Sequence, residues 1–134
     1  MKKKILIVDD DEEICEELAE ILRDEGYAVE TVSNGLAARS LIEKKVFHLL
    51  MLDLKIPEVT GVELLEFIRK KRLPVKVLVV TARPMGKQEI VQQKDSIVPD
   101  AKEQRLLKAA DGIIPKPFDI PLLLARVKQL LRAA

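Results

Sequence analysis

The sequence predicts a doubly wound α/β fold, a parallel β-sheet with helices on both faces, and three observations predict it. Strand-length apolar runs alternate with helical patterns along the chain. Three of those runs, Ile5-Leu-Ile-Val8, Leu49-Leu-Met-Leu52 and Val77-Leu-Val-Val80, are apolar without interruption. Charged or hydroxyl-bearing residues follow the runs directly. A strand that is apolar on both sides must be covered on both faces, which is the situation of a central strand in a parallel sheet. Strict alternation of strand and helix then calls for right-handed crossovers.

The elements follow in order. Ile5 to Val8 is the first strand. Ile14, Leu18, Ile21 and Leu22 then recur at i, i+4, i+7 and i+8, the stripe of an amphipathic helix that Gly26 stops. Ala28-Val29 with Thr31-Val32 form a second strand, and Asn34-Gly35 open a shorter helix from Leu36 to Lys44. Leu49 to Leu52 is the third strand, and Leu64, Leu65 and Ile68 mark the helix behind it. Val77 to Val80 and the short Ile113-Ile114 are the fourth and fifth strands. Asp119 caps a last helix whose apolar stripe is Leu123, Leu124, Val127, Leu130 and Leu131.

The span from Thr81 to Lys116 exceeds two loops and one helix by roughly a dozen residues. Ile90, Val91, Ile97 and Val98 repeat at i+7, which suggests a short amphipathic helix ended by Pro99. Asp100-Ala-Lys-Glu103 then has the pattern of an N-cap and its N3 partner, starting a second helix through Leu106-Leu107 to Ala110. Two short helices are expected where one would do.

With 134 residues, 48% hydrophobic, 34% charged and 3% aromatic, the chain reads as one domain, 1–134, with an aliphatic core and a charged surface. Lys plus Arg number 23 against 22 Asp plus Glu, a net charge of +1 that supplies no long-range field for nucleic acid or an anionic membrane. The lone Cys15 can form no internal disulfide, and the first apolar run is too short for a signal-peptide core. No run approaches the roughly 18 apolar residues of a membrane span. A cytoplasmic protein is the expectation.

Doubly wound sheets bind ligands beyond the carboxyl ends of their strands. Asp9 and Asp10 follow the first strand, Asp53 the third, Thr81 the fourth and Lys116 the fifth. If the first and third strands are neighbours, three carboxylates converge and repel one another, a set that suits a hard divalent cation such as Mg²⁺. A metal beside a carboxylate can offset the charge of an approaching phosphate, which makes that carboxylate a feasible nucleophile. Lys116 would offer a point charge to a phosphoryl oxygen and Thr81 a neutral donor. Asp11, Glu12 and Glu13 read instead as a cap and dipole complement for the first helix. His48, a lone histidine before the third strand, reads as structural, and Cys15 as a packed thiol beside the apolar stripe.

These residues carry a family resemblance. Ile7-Val-Asp-Asp10, Leu52-Asp53 with Pro57 and Gly61 behind it, Thr81-Ala82 and Lys116-Pro117-Phe118 together resemble the response regulator receiver domain, and they cover the chain from end to end. The resemblance implies a flavodoxin-like five-stranded parallel sheet in the order 2-1-3-4-5. It implies that Asp53 accepts a phosphoryl group from a histidine kinase, a phosphotransfer protein or a small phosphodonor. Asp10 would bind Mg²⁺ directly, Asp9 largely through water, and the Lys55 backbone carbonyl would complete the protein ligands. Thr81 and Lys116 would contact the phosphoryl group, and Lys116-Pro117 would be a cis peptide bond. In the family, the threonine's movement repacks the face made by the last strand, the last helix and the helix before them, for an output protein or a phosphorylation-dependent homodimer.

Three departures stand out. Ile113 occupies the place where the family has an aromatic residue that swings inward, Lys55 and Arg83 flank the phosphate site with cations that predict a long-lived phosphoryl state, and the lengthened span after Thr81 lies on the signalling face. Two other functions compete: a pseudo-receiver that serves as a constitutive interaction module, and a haloacid-dehalogenase-like phosphohydrolase using Asp9 of Asp9-Asp10-Asp11. The phosphohydrolase pattern expects Thr or Val where Glu13 stands. A glycine-rich first turn for nucleotide binding is missing. No separate enzymatic turnover is expected. Ending at Arg132-Ala-Ala134, the chain reads as a stand-alone receiver.

Overall fold

A computed structural model describes residues 2–53, 60–81, 108 and 110–132. The strands are β1 (Lys4–Val8), β2 (Ala28–Val32), β3 (Leu49–Leu52), β4 (Lys76–Thr81) and β5 (Gly112–Pro115), and the described helices are α1 (Glu12–Asp24), α2 (Gly35–Lys44), α3 (Gly61–Lys70) and α4 (Ile120–Arg132). The strands form one five-stranded sheet in the order β2-β1-β3-β4-β5. Every pairing is parallel. This is the doubly wound, flavodoxin-like order expected above.

The uninterrupted apolar strands are explained by what covers them. Ile5, Ile7, Leu49, Met51, Leu78 and Val80 point to one face, where α1 and α4 pack. Leu6, Val8, Leu50, Leu52, Val77 and Val79 point to the other, where α2 and α3 pack. Side chains alternate across a strand, so a strand buried twice must be apolar at every position. On α1 the buried stripe is Cys15, Leu18, Ala19 and Leu22, while Ile14 packs only partly buried against that core. Cys15 is therefore in the stripe rather than beside it, shifted by one position from the sequence reading.

Capping accounts for where the helices begin. The Asp11 carboxylate accepts from the Glu13 and Ile14 N–H groups, Asn34 caps α2 through the Ala37 N–H at 2.7 Å, and Thr60 caps α3 through the Glu63 N–H. The Asp119 carboxylate accepts the Leu122 N–H at 3.3 Å. α1 and α3 both end in a Schellman motif: Tyr27 N–H donates to Leu22 O and Gly26 N–H to Arg23 O, and Leu73 N–H and Arg72 N–H repeat the pattern on Ile68 O and Arg69 O. The left-handed residue is Gly26 in the first and Arg72, at φ 54°, in the second. Only the first was legible, because glycine announces such a turn and arginine does not.

Most of the two short helices expected between Thr81 and Lys116 falls outside the described residues; Lys108 is helical and Ala110 lies in a bend. No helix among the described residues is long and apolar enough to cross a membrane.

Candidate functional site

Parallel pairing converts distant sequence positions into neighbours. Val8 stands opposite Leu52 in the β1–β3 register, and the Asp53 N–H donates to Val8 O at 3.0 Å. Asp9 and Asp53 therefore leave the sheet side by side at its carboxyl edge. Asp9, Asp10 and Asp53 each present a carboxylate oxygen within 4.8 Å of the others. Asp9 is 3% exposed and Asp53 7%, whereas Asp10 faces solvent. Asp9 and Asp53 are the only buried charged residues among those described.

Lys116, just past β5, reaches across the end of β4 into this cluster. Its Nζ donates to Asp9 Oδ2 at 2.6 Å and to Asp53 Oδ2 at 3.3 Å, with the lysine side chain 14% exposed. Burial works against its charge, but the hydrogen bonds and the charges of Asp9 and Asp53 outweigh burial and hold Lys116 above the ordinary lysine value. The Lys116–Pro117 bond is cis, as the resemblance implied.

Asp9 is held on every side. Its Oδ1 accepts the Asp11 N–H at 3.0 Å, its Oδ2 takes Lys116, and its N–H donates to Val32 O at 3.2 Å. The Cys15 thiol donates to its backbone carbonyl at 3.3 Å. Burial first, then the negative charges of Asp9 and Asp11, push the Cys15 thiol up to about 11. Nothing in the sequence announced this contact, since a spacing of six residues across a strand end and a helix turn has no recognisable pattern.

Among the described residues, three carboxylates and one ammonium meet in a crevice of hard oxygen donors, one of them open to water. The donor set fits a divalent oxygen-seeking cation. Thr81 closes β4 opposite Pro115 in register, which brings its backbone to the same edge. The Thr81 side chain, Lys55, Pro57 and Arg83 lie outside the described residues, and so do the expected Lys55 carbonyl ligand and the two cations expected to prolong the phosphoryl state. Ile113 is partly buried against the α2–α3 core. His48 sits at the opposite edge, where its Nδ1 accepts the Lys4 N–H at 2.9 Å.

Residues 5–128 match the family model of the response regulator receiver domain. The chain is 36% identical over 129 residues to a transcriptional regulatory protein CpxR homolog of Haemophilus influenzae, covering 96% of this chain and 50% of that protein. It is 33% identical over 132 residues to the regulatory protein VanRc of Enterococcus gallinarum, covering 98% of this chain and 51% of that protein. The chain thus spans about half the length of these curated relatives. Among solved structures it is similar to a CheY-like response regulator receiver domain protein of Methanospirillum hungatei, with TM-score 0.81 and 32% identity over 99% of this chain and 96% of that one. It is also similar to the response regulator TrrA of Thermotoga maritima in complex with Mg²⁺-BeF, with TM-score 0.74 and 32% identity over 96% of this chain and 98% of that one.

Proposed function

This chain belongs to the response regulator receiver domain family, and on that premise we propose that it is a phosphorylation-switched receiver of two-component signal transduction, with Asp53 as its phosphoacceptor. The carrying observation is the carboxyl edge, where Asp9, Asp10 and Asp53 converge and Lys116 reaches Asp9 and Asp53.

The Asp53 carboxylate attacks the phosphorus of a phosphohistidine or a small acyl phosphate. An aspartyl O–P bond forms as the P–N or P–O bond of the donor breaks, and the departing atom keeps the electron pair. Asp9, Asp10, Asp53 and the Lys55 carbonyl would hold Mg²⁺, which would offset the charge of the incoming phosphoryl group. Lys116, already 3.3 Å from Asp53 Oδ2, donates to a phosphoryl oxygen, and the Thr81 hydroxyl supplies a second donor. Asp9 is the fixed member of the set and Asp10 the exposed one. The chain is the substrate of this reaction rather than a turnover catalyst.

The whole span 1–134 is read as that domain. Its donor is a histidine kinase or phosphotransfer protein, its output a protein contact or a phosphorylation-dependent homodimer. It acts in the cytoplasm, where the free thiol of Cys15 is at home. The Mg²⁺-BeF complex of TrrA supports the metal and phosphate parts of the reading by similarity. The phosphohydrolase alternative needs Asp9 as nucleophile, yet both its carboxylate oxygens are engaged and it is buried.

Incubation with Mg²⁺ and acetyl phosphate, followed by intact mass, tests the proposal. One phosphoryl adduct is expected, absent from Asp53→Asn and absent when EDTA removes the metal. An unmodified parent chain would favour the constitutive pseudo-receiver, and an adduct retained by Asp53→Asn would move the acceptor elsewhere.

A further inference from the structure

The outer edge of β2 and the flank of α1 enclose a trough that meets the phosphoryl-transfer site at Asp9 and runs away from it along α1. We propose that it docks an extended protein segment carrying a basic residue at every second position, added as a strand on the free edge of β2.

The backbone supplies the first half of the argument. Among the described residues β2 pairs only with β1. Ala28 N–H donates to Lys3 O and Val32 O accepts the Asp9 N–H, so these residues turn their backbone groups inward. In a parallel ladder the N–H and C=O of one residue point the same way and alternate along the strand, which turns Val29 and Thr31 outward. Arg23 Nη2 donates to Val29 O at 2.8 Å. That leaves the Val29 N–H and both backbone groups of Thr31 for an incoming strand, the feature that makes any sheet edge a template.

The side chains supply the second half. Two cavities of about 430 and 360 Å³ run along this edge and share Glu16 and Thr31. Asp9, Glu12 and Glu16 line the first, and Glu16, Glu20 and Asp24 the second, where Arg23, held on Val29 O, is the one cation among the described residues that line it. Of these acids, Glu12, Glu16, Glu20 and Asp24 lie on α1. These four acids recur at i+4 along α1, are exposed, and make no ion pair among the described residues. On a helix, i+4 is a step of about 6 Å. In an extended strand, i+2 is a step of about 6.6 Å and keeps side chains on one face. Alternate cations on a docked strand therefore keep pace with consecutive acids of α1 over three positions. On the opposite face of β2, Glu30 is already paired with Lys45 at 3.1 Å, so the intervening residues of the partner need no charge. The negative sign excludes nucleic acid as the occupant.

Fluorescence anisotropy on the full, unphosphorylated chain tests this with three labelled probes. They are a nonapeptide with lysine at every second position and threonine between, a peptide of equal composition with its lysines contiguous, and the alternating peptide N-methylated at every second amide in each of two frames. The alternating peptide is expected to bind about tenfold more tightly than the contiguous one, and Glu16→Gln with Glu20→Gln to weaken it about tenfold. N-methylation is expected to abolish binding in one frame only. Equal affinity for the two arrangements, indifference to the double substitution or to methylation in both frames, or no binding at millimolar peptide would each overturn the proposal. Glu16 and Glu20 are exposed, and an unchanged acetyl-phosphate adduct on the double variant confirms that it is folded.

Discussion

The two ends of the sheet carry acid and base clusters built from similar groups in different proportions. At the carboxyl edge, Asp9, Asp10 and Asp53 cluster and Lys116 bonds to Asp9 and Asp53. At the amino edge, the Asp111 carboxylate accepts the Val77 N–H at 2.7 Å and Arg69 Nη2 at 3.1 Å, while Asp111 N–H donates to Val77 O. There one carboxylate meets one guanidinium and one backbone donor. Beside it, His48 accepts the Lys4 N–H with its ring and donates its own N–H to Lys4 O. The Asp111 cluster ties α3, β4 and β5 together. The carboxyl-edge cluster holds carboxylates close against their repulsion, a set that fits a cation from outside. Among the described residues, the crowding of carboxylates, more than residue type, separates the carboxyl edge from the amino one.

The comparison breaks most readily at Asp111. Asp111→Ala strips a part-buried N–H and a part-buried guanidinium of their acceptor and is expected to cost about 2–3 kcal/mol, read from the urea midpoint. Asp111→Asn keeps one acceptor and should cost about 1 kcal/mol. Neither substitution should alter the response to Mg²⁺. A loss from Asp111→Ala no larger than that of an exposed ion pair, about 0.5 kcal/mol, would show that the amino edge is not the anchor described.

The carboxyl edge should answer in the opposite sense. Asp53→Asn removes one of the crowded charges, so without metal it is expected to raise stability by on the order of 1 kcal/mol. Mg²⁺ at ten times its Kd should add about 1.4 kcal/mol to the parent chain and clearly less to Asp53→Asn, measured by thermal melts with and without the ion. Destabilisation by Asp53→Asn in EDTA would mean that this cluster, too, is structural.

The smallest effect sharpens the local chemistry. With the Cys15 thiol pushed from 9.0 up to about 11, its thiolate fraction at pH 8 is about a hundredfold below that of the unfolded chain. Because the folded state holds the proton more tightly, the contribution of the neutral thiol to stability is complete below pH 9 and is lost as pH rises towards 11. Iodoacetamide should label Cys15 slowly in the native chain at pH 8 and readily in urea. Rapid native labelling at pH 8 would contradict the packed, hydrogen-bonded thiol.

Much of this was legible in the residues because the relevant physics is local or periodic. Continuous apolar strands, the i, i+3, i+4 stripes of α3 and α4, and the caps at Asn34 and Asp119 can all be read within a few positions. Asp9, Asp10, Asp53 and Lys116 could be nominated together because each directly follows a strand, and the structure brings these four together. What could not be read has a common character. Cys15 on Asp9 O, Asp111 on Val77 N–H and His48 on Lys4 N–H all join a side chain to the backbone of another segment, and any residue can offer that backbone. Arg72 in a left-handed turn was hidden for a different reason, since the local cost is outweighed by the Schellman bonds around it.

By itself the sequence determined the elements, their order, the double burial of the central strands and the residues at the strand ends, because hydrophobic period and capping act along the chain. Only the tertiary structure decided the distances on which chemistry depends. Pairing β1 directly with β3 set Asp53 beside Asp9, the path past the end of β4 delivered Lys116 to both, and the edge position of β2 left Thr31 facing the acids of α1. Strand order and register are properties of the sheet as a whole, settled by which faces can be buried together, and no short stretch of residues encodes them.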